Sequence, residues 1–202
     1  MDIEIPTVYI ASPYFSDDQR DTVHKIEEIL GRLGYKSYSP FRDGITLKPD
    51  SQSVDRVRVF QENKRAIEEA DIILACTDGK SVASLGETAL RELHSALQAK
   101  GGTGADIANF LTKLIDRDPG TIWELGYAHG IGKSAFTFSR RGFDQNVMIA
   151  EGVLCHVKSF DEVTDVLVQL RPVAGNLHAR TEEVTAVMGK IRSLYKRDYR
   201  VF

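Results

Sequence analysis

Two carboxylates, Asp118 and Glu124, flank a turn that Pro119 and Gly120 can form. Thr121 is a good N-cap residue, and the residues after it alternate apolar and small side chains, so we expect the turn to lead into a buried helix. Asp118 then lies in the loop before the helix and Glu124 in its first turn. A carboxylate near a helix N-terminus can stay ionised and act as a nucleophile, because the unpaired backbone N–H groups there favour negative charge.

The same residues allow a purely structural interpretation. Thr121 and Glu124 have the spacing of a capping box, in which the glutamate only returns a hydrogen bond to the backbone N–H of the threonine. Such short matches are common by chance, and the local pattern favours the cap over the nucleophile. The remainder of the chain must decide between the two.

Composition narrows the classes of protein to consider. A chain of 202 residues with 42% hydrophobic residues can bury one good core, which predicts a single domain over residues 1–202. The net charge of −3 and the pI near 6.0 argue against polymeric nucleic acid as a partner. There is no apolar run of the ~20 residues that a membrane span needs, and the acidic start lacks signal-peptide features. We therefore expect a cytoplasmic protein with no membrane partner.

Metal and cofactor sites are not predicted. Cys76 and Cys155 each lie in an apolar, strand-like run, which is typical of buried reduced thiols, and the five histidines lack metal-ligand spacing. Five residues, and not four, separate Gly126 from Gly132, so the following Lys133 does not complete a phosphate-binding Walker motif. The Gly-x-Gly-x-x-Gly pattern of a nicotinamide site is also missing after the first strand.

Strand-like and helix-like segments alternate five times along the chain. The predicted strands cover residues 7–11, 35–39, 71–77, 135–138 and 152–157, and the predicted helices cover 17–33, 54–69, 123–131 and 160–170. This order predicts an α/β fold with an open, mostly parallel, five-stranded doubly wound sheet of the Rossmann or flavodoxin-like type. Ligands of such sheets bind at the carboxyl ends of the strands, where Asp118 and Glu124 would lie.

Two segments exceed this minimal unit. Residues 79–117 contain two helical patterns separated by a glycine-rich stretch, which predicts a helical-hairpin insertion. The insertion could be a lid, an oligomer contact or a hairpin that packs against the sheet. Residues 180–202 predict a C-terminal helical extension.

The side chains that follow the strands suit a nucleoside. Aromatic rings stack on flat heterocycles, while carboxylates and amides bind sugar hydroxyls and can attack an anomeric carbon. The aromatic and amide candidates are Tyr9, Tyr14, Phe15, Trp123, Asn63 and Asn146.

Four motifs in fixed order make the chain resemble the nucleoside 2-deoxyribosyltransferase family. They are Val-Tyr-Ile-Ala-Ser-Pro-Tyr-Phe at 8–15, Asp-x-Gly-Thr-x-x-Glu-Leu-Gly-Tyr-Ala at 118–128, Gly-Lys at 132–133 and Asn-Val-Met at 146–148. The resemblance extends from residue 7 to residue 170. The insertion at 79–117 and the tail beyond Arg171 depart from the family pattern.

The resemblance implies roles for three catalytic residues. Glu124 would be the nucleophile that attacks C1′ of the deoxyribose, Tyr9 would hold its carboxylate in place, and Asp118 would bind the 5′-hydroxyl.

It also implies a set of substrate-binding residues. Asn146 and Met148 would reach the site from a neighbouring subunit, which implies a homo-oligomer. Asn63 stands where many members carry an aspartate on the side of the base. The remaining members of the set are Phe15 and Gly120, and Arg42 and Asp43 in the loop that contacts the base.

The implied activity is transfer of a 2-deoxyribosyl group from a 2′-deoxynucleoside to a free nucleobase, in the usual setting of nucleoside salvage. A carboxylate nucleophile forms a covalent glycosyl-enzyme, and a second displacement restores the configuration, so we expect net retention and no cofactor. The departing base needs a proton. The candidate sources are a water molecule bound to Asn63, the carboxyl group of Asp43 and the carboxyl group of Asp118.

Two other functions compete with transfer. A nucleoside or nucleotide N-glycohydrolase would use water to resolve the same intermediate, although Asp118 would repel a 5′-phosphate and therefore favours unphosphorylated nucleosides. A non-catalytic nucleotide sensor would use Glu124 only as a helix cap.

Overall fold

The helices and strands alternate as the sequence predicts. A computed structural model describes residues 5–48, 50, 52–78, 95, 118–140, 147–179 and 181–195. The strands are β1 (Thr7–Ala11), β2 (Lys36–Tyr38), β3 (Ile72–Cys76), β4 (Ser134–Phe138) and β5 (His156–Val157). The helices are α1 (Asp17–Arg32), α2 (Pro40–Asp43), α3 (Ser53–Glu69), α4 (Pro119–Gly130), α5 (Val147–Gly152), α6 (Phe160–Leu170) and α7 (Glu182–Tyr195), with a 3₁₀ segment at Arg171–Ala179.

The five strands form one sheet in the order β2-β1-β3-β4-β5, and every pair is parallel. This is the flavodoxin-like order, so the predicted fold class is confirmed. The order reverses between β1 and β3, and in such sheets a ligand binds outside the carboxyl ends of the strands at that reversal.

The last strand is shorter than predicted. The prediction of a strand over 152–157 is wrong at its start, because Gly152 ends α5 and only His156 and Val157 pair fully with β4. The backbone before them still lies along β4, since the N–H of Leu154 donates to the carbonyl of Ala135 at 2.7 Å.

Each face of the sheet is covered by helices. Along β1, Val8 and Ile10 point to the core beneath α1, α6 and α7, while Tyr9 and Ala11 point to the core beneath α3 and α4. All five residues of β3 are buried, as expected for a central parallel strand. The two cores together fix which side chains of β1 can meet α4.

The loop between β1 and α1 is fixed by a capping box. The Ser16 side chain accepts a hydrogen bond from the backbone N–H of Gln19, and the Gln19 side chain accepts from the N–H groups of Ser16 and Phe15, at 3.2 and 2.9 Å. This arrangement holds Tyr14 and Phe15 beyond the carboxyl end of β1.

The structure describes most of the predicted C-terminal extension at 180–202 but almost none of the predicted insertion at 79–117. Helix α7 packs against the first core through Val184, Ile191 and Tyr195. Apart from Ser95, the predicted helical hairpin at 79–117 lies outside the described residues. In the described part of the chain, no helix is both long and apolar enough to cross a membrane.

The Gly132-Lys133 dipeptide has a structural role at the end of α4. Gly132 has φ +78°, the left-handed conformation that commonly follows a helix. The Lys133 ammonium donates to the backbone carbonyls of Glu68 and Ala70, the latter at 2.8 Å. Lys133 thereby satisfies carbonyl groups at the end of α3 and ties α3 to the start of β4.

Replacing Lys133 tests this role. Lys133→Met keeps the length of the side chain but removes both hydrogen bonds, so we expect the free energy of unfolding to fall by about 1–3 kcal/mol. Urea denaturation measures the change, and Lys190→Met on the exposed face of α7 is the control. Equal stability of the two variants would contradict the role.

Candidate active site

The site begins at the N-terminus of α4. Asp118 is the N-cap residue, and its Oδ2 accepts hydrogen bonds from the backbone N–H and the hydroxyl of Thr121, at 2.8 and 3.1 Å. The prediction of Thr121 as the N-cap is therefore wrong. Pro119 has no N–H to satisfy and its fixed φ suits the first helical position, so the helix can begin directly after Asp118.

This earlier start moves Glu124 into the second turn of the helix. With Pro119 as the first helical residue, the third is Thr121 and not Glu124, so the predicted first-turn position and the capping box are both wrong. The Glu124 carboxylate instead accepts a hydrogen bond at Oε1 from the hydroxyl of Tyr9, at 2.6 Å. The structural interpretation of Glu124 as a cap is thus excluded.

Tyr9 supplies that hydrogen bond from the middle of β1. Its side chain is fully buried between β1 and the pair α3 and α4, and its ring stacks on Tyr38 of the neighbouring strand. This is the contact between Tyr9 and Glu124 that the family resemblance implies.

Glu124 is a half-buried acid whose pKa is shifted. Burial raises its pKa to about 7, the hydrogen bond from Tyr9 opposes this shift, and the nearby charge of Asp118 adds to it. We expected the helix N-terminus to keep the carboxylate ionised. Because Glu124 lies one turn further along and is desolvated, it ionises only near neutral pH.

Gly120 allows Asp118 to fold back over the start of the helix. A Cβ atom at Gly120 would lie 2.9 Å from Oδ2 of Asp118, the oxygen that receives both hydrogen bonds from Thr121. The glycine of the Asp-x-Gly-Thr motif therefore makes room for the cap. Its predicted contact with substrate remains a prediction.

Tyr14, one of the aromatic candidates from the sequence, lies close enough to both carboxylates to be affected by their charges. Its ring contacts Phe15 and Phe41, with centroids 5.2 and 5.5 Å apart. Burial raises the pKa of Tyr14, and the nearby charges of Glu124 and Asp118 raise it further. Its place in the Ser-Pro-Tyr-Phe loop after β1 was the available signal. Phe15, the predicted member of this loop, is 60% exposed.

Arg42 and Asp43 are bound to each other. The Arg42 guanidinium donates to Asp43 at 2.7 and 2.8 Å and to the carbonyl of Ser37, and it forms an ion pair with Glu27 of α1. Burial acts to raise the pKa of Asp43, but hydrogen bonds from Arg42 and the Ser39 N–H outweigh it and lower the pKa. These contacts hold the loop after β2, and they make Asp43 a poor proton donor.

Two other predicted residues, Asn63 and Met148, lie on α3 and α5. Asn63 is half-buried on α3 and, by helical spacing, shares a face with the buried Ala66 and Ile67. Met148 is 79% exposed and lines an apolar groove of about 280 Å³ with Ile122 and other residues of α4 and α5. Glu124 does not line that groove.

The predicted contribution of Asn146 and the prediction of no metal site concern the ligands of the site. Asn146 lies outside the described residues. Within the described residues, there is no group of three His, Cys, Asp or Glu side chains that could hold a metal ion.

The shifted pKa of Glu124 makes a prediction about stability. Because the folded-state pKa of about 7 exceeds the ordinary value of 4.5, the folded state loses stability as pH rises between these values. Glu124→Gln removes the charge, so we expect it to be more stable than wild type by about 3 kcal/mol at pH 8, with no gain at pH 4. Thermal unfolding at both pH values measures the difference, with the exposed Glu28→Gln as control. A gain that does not depend on pH would contradict the assignment.

Comparison with known proteins supports the predicted resemblance. The family model described as "Nucleoside 2-deoxyribosyltransferase" matches residues 8–89, which include Tyr9, Tyr14 and Asn63 but not Asp118 or Glu124. No curated protein sequence matches the chain significantly.

Solved structures extend the similarity over most of the fold. A 2-deoxyribosyltransferase from Bacillus psychrosaccharolyticus is 24% identical, with a TM-score of 0.55 over 79% of this chain and 90% of that one. A 2-deoxyribosyltransferase from Leishmania mexicana is 18% identical, with a TM-score of 0.50 over 81% of this chain and 97% of that one. The predicted resemblance is therefore confirmed: residues 8–89 match the family model, and the chain shares its fold with solved 2-deoxyribosyltransferases.

Proposed function

We propose that this protein transfers a 2-deoxyribosyl group between nucleobases through a covalent glycosyl-enzyme on Glu124. The observation that carries the proposal is the half-buried Glu124 carboxylate, which accepts a hydrogen bond from Tyr9 at 2.6 Å and lies on the helix that Asp118 caps. The match of residues 8–89 to the family supports the same activity.

The reaction consists of two displacements at C1′ of the sugar. In the first, Glu124 forms a C1′–O bond as the C1′–N bond breaks, and the base leaves with the electron pair and takes up a proton. In the second, a ring nitrogen of another base attacks C1′, loses its proton and releases the Glu124 carboxylate. Two inversions give net retention.

The hydrogen bond from Tyr9 gives the two carboxylate oxygens of Glu124 different roles. Oε1 of Glu124 accepts this bond, which leaves Oε2 to attack C1′. Burial and the charge of Glu124 raise the pKa of Tyr9, so its phenol stays protonated and remains a donor. The same donor stabilises the charge that returns to the carboxylate in the second displacement.

Asp118 would bind the sugar. Oδ2 of Asp118 caps the helix, and Oδ1 would accept a hydrogen bond from the 5′-hydroxyl of the substrate. A 5′-phosphate would be repelled by the Asp118 charge, which favours unphosphorylated nucleosides. Since Asp43 is paired with Arg42 and Asp118 acts here as a charged acceptor, a water molecule bound to Asn63 remains the candidate proton donor to the base.

The quaternary arrangement that we propose is a homo-oligomer in which Asn146 and Met148 complete a neighbouring site. The exposure of Met148, which lines a groove that Glu124 of its own chain does not line, supports this arrangement. A single domain over residues 1–202, and a setting in cytoplasmic nucleoside salvage, are proposed from the composition and the resemblance.

Base exchange tests the function directly. The protein is incubated with a 2′-deoxynucleoside, with and without a second free base, and the products are separated by chromatography. We expect a new nucleoside only when the second base is present. Glu124→Ala should lower exchange by roughly 10³-fold or more, because the nucleophile is lost, while the exposed Glu28→Ala control should retain it.

Other outcomes of this experiment identify the competing functions. Base release without an acceptor would indicate an N-glycohydrolase, and an absence of both products would favour a sensor. Incubation with donor alone should add one deoxyribosyl group to the peptide that contains Glu124, as measured by mass spectrometry. Retained turnover by Glu124→Ala would refute the role of Glu124.

Mixed oligomers test the contribution of Asn146. If Asn146 completes a neighbouring site, Glu124→Ala and Asn146→Ala should each be inactive, and their mixture should recover part of the activity. The recovery arises because some sites receive an intact Glu124 from one chain and an intact Asn146 from the other. An absence of recovery, with mixing confirmed by native mass spectrometry, would contradict the shared site.

A further inference from the structure

Tyr38 lies beside Tyr9 on the neighbouring strand. The two residues are register partners in the parallel pairing of β1 and β2, so their side chains point to the same face of the sheet. Their rings are nearly parallel, with centroids 5.6 Å apart and an interplanar angle of 12°. Because β2 is the edge strand of the described sheet, Tyr38 forms the outer wall of the Tyr9 ring.

The hydroxyl of Tyr38 does not explain why an aromatic ring stands at this position. It is buried and has no hydrogen-bond partner among the described residues. Burial raises its pKa, as do the charges of Glu62, Asp43 and Glu124, while Arg65 lowers it. A buried hydroxyl without a partner destabilises a fold, so the benefit of this side chain must come from its ring.

The Tyr38 ring covers the side of the Tyr9 ring that faces β2. The χ2 torsion of a tyrosine has a broad energy minimum, so the strand alone does not fix the plane of the Tyr9 ring. A parallel ring alongside restricts both the plane and the tilt of the Tyr9 ring, and with them the O–H direction and the position of the hydroxyl that meets Glu124.

We propose that Tyr38 is a positioning residue that holds the Tyr9 hydroxyl against the Glu124 carboxylate. The importance of this contact for turnover rests on the proposed function of Glu124. The titratable groups that face Glu124 from the packed elements are Tyr9 of β1, Tyr14 of the following loop, Tyr38 of β2 and Asp118 at the start of α4. Only Tyr9 donates a hydrogen bond to Glu124 among the described residues.

Loss of the ring should therefore act on Glu124 through Tyr9. Without its outer wall, the Tyr9 ring can tilt toward the vacated space, which displaces its hydroxyl and weakens the 2.6 Å hydrogen bond. Since that bond favours the ionised carboxylate, the pKa of Glu124 then rises above about 7. Less of the nucleophile is ionised at neutral pH, and the acid limb of activity moves to higher pH.

Four variants test the proposal: Tyr38→Leu, Tyr38→Phe, Tyr9→Phe and the double variant Tyr9→Phe/Tyr38→Leu. The midpoint of Glu124 ionisation is measured by ¹³C NMR titration of its carboxyl carbon, assigned with Glu124→Gln, and by the pH dependence of kcat/KM. Tyr9→Phe should raise the midpoint by about one to two pH units. Tyr38→Leu should raise it by roughly half a unit or more in the same direction, and kcat/KM at pH 6 should fall accordingly.

The control and the double variant separate positioning from other roles. Tyr38→Phe keeps the ring, so the midpoint should stay at the wild-type value and the melting temperature should not fall. The double variant should match Tyr9→Phe, because Tyr38 has no further effect once the Tyr9 hydroxyl is gone. The midpoint does not depend on the fraction of folded protein, so loss of stability does not imitate the expected shift.

Three results would overturn the proposal: an unchanged midpoint in Tyr38→Leu, a shift in Tyr38→Phe as large as in Tyr38→Leu, or a further shift in the double variant. The NMR titration needs no substrate. If wild-type protein shows no base exchange, the proposed function fails while the titration still decides the role of Tyr38.

Discussion

The hydrogen bond between Tyr9 and Glu124 is the interaction around which this site is organised. It joins the central part of the sheet to a helix 115 positions later in the chain. It forms only if β1 and α4 pack on the same face and if α4 begins at Pro119, which sets the rotation of Glu124 toward the sheet. The strand order, the helix start and the aromatic wall all contribute to one carboxylate–phenol contact.

Glu124 shows how a reactive group opposes the stability of the fold that contains it. Burial keeps water from the carboxylate, but it also makes the ionised form costly, and one phenol offsets only part of that cost. A more completely hydrogen-bonded carboxylate would ionise more easily and would be a weaker nucleophile. The single donor leaves the other oxygen without a hydrogen bond from the described residues, which suits the proposed role of Glu124 as a nucleophile.

The sequence predicts the strands and helices well, because the pattern of apolar residues indicates them. It predicts side-chain directions poorly, because residue types do not determine them. The alternation of β3 and its neighbours predicted the sheet, because buried parallel strands have continuous apolar runs. The start of α4 was misplaced, since Asp118 and Thr121 are both good caps and only Pro119 distinguishes them. The pairing of Arg42 with Asp43 was not predictable, because residue types do not state where side chains point. Tyr38 likewise required the strand register.

The cap formed by Asp118 has a consequence for the evolution of substrate choice. An N-cap must be a short polar residue, and serine, threonine, asparagine and aspartate all satisfy this need. These residues differ in charge, so a single exchange at position 118 can neutralise the proposed sugar pocket while the helix that carries Glu124 keeps its start. Under the proposed function, preference for a neutral or an anionic sugar can therefore change independently of the folding of that helix.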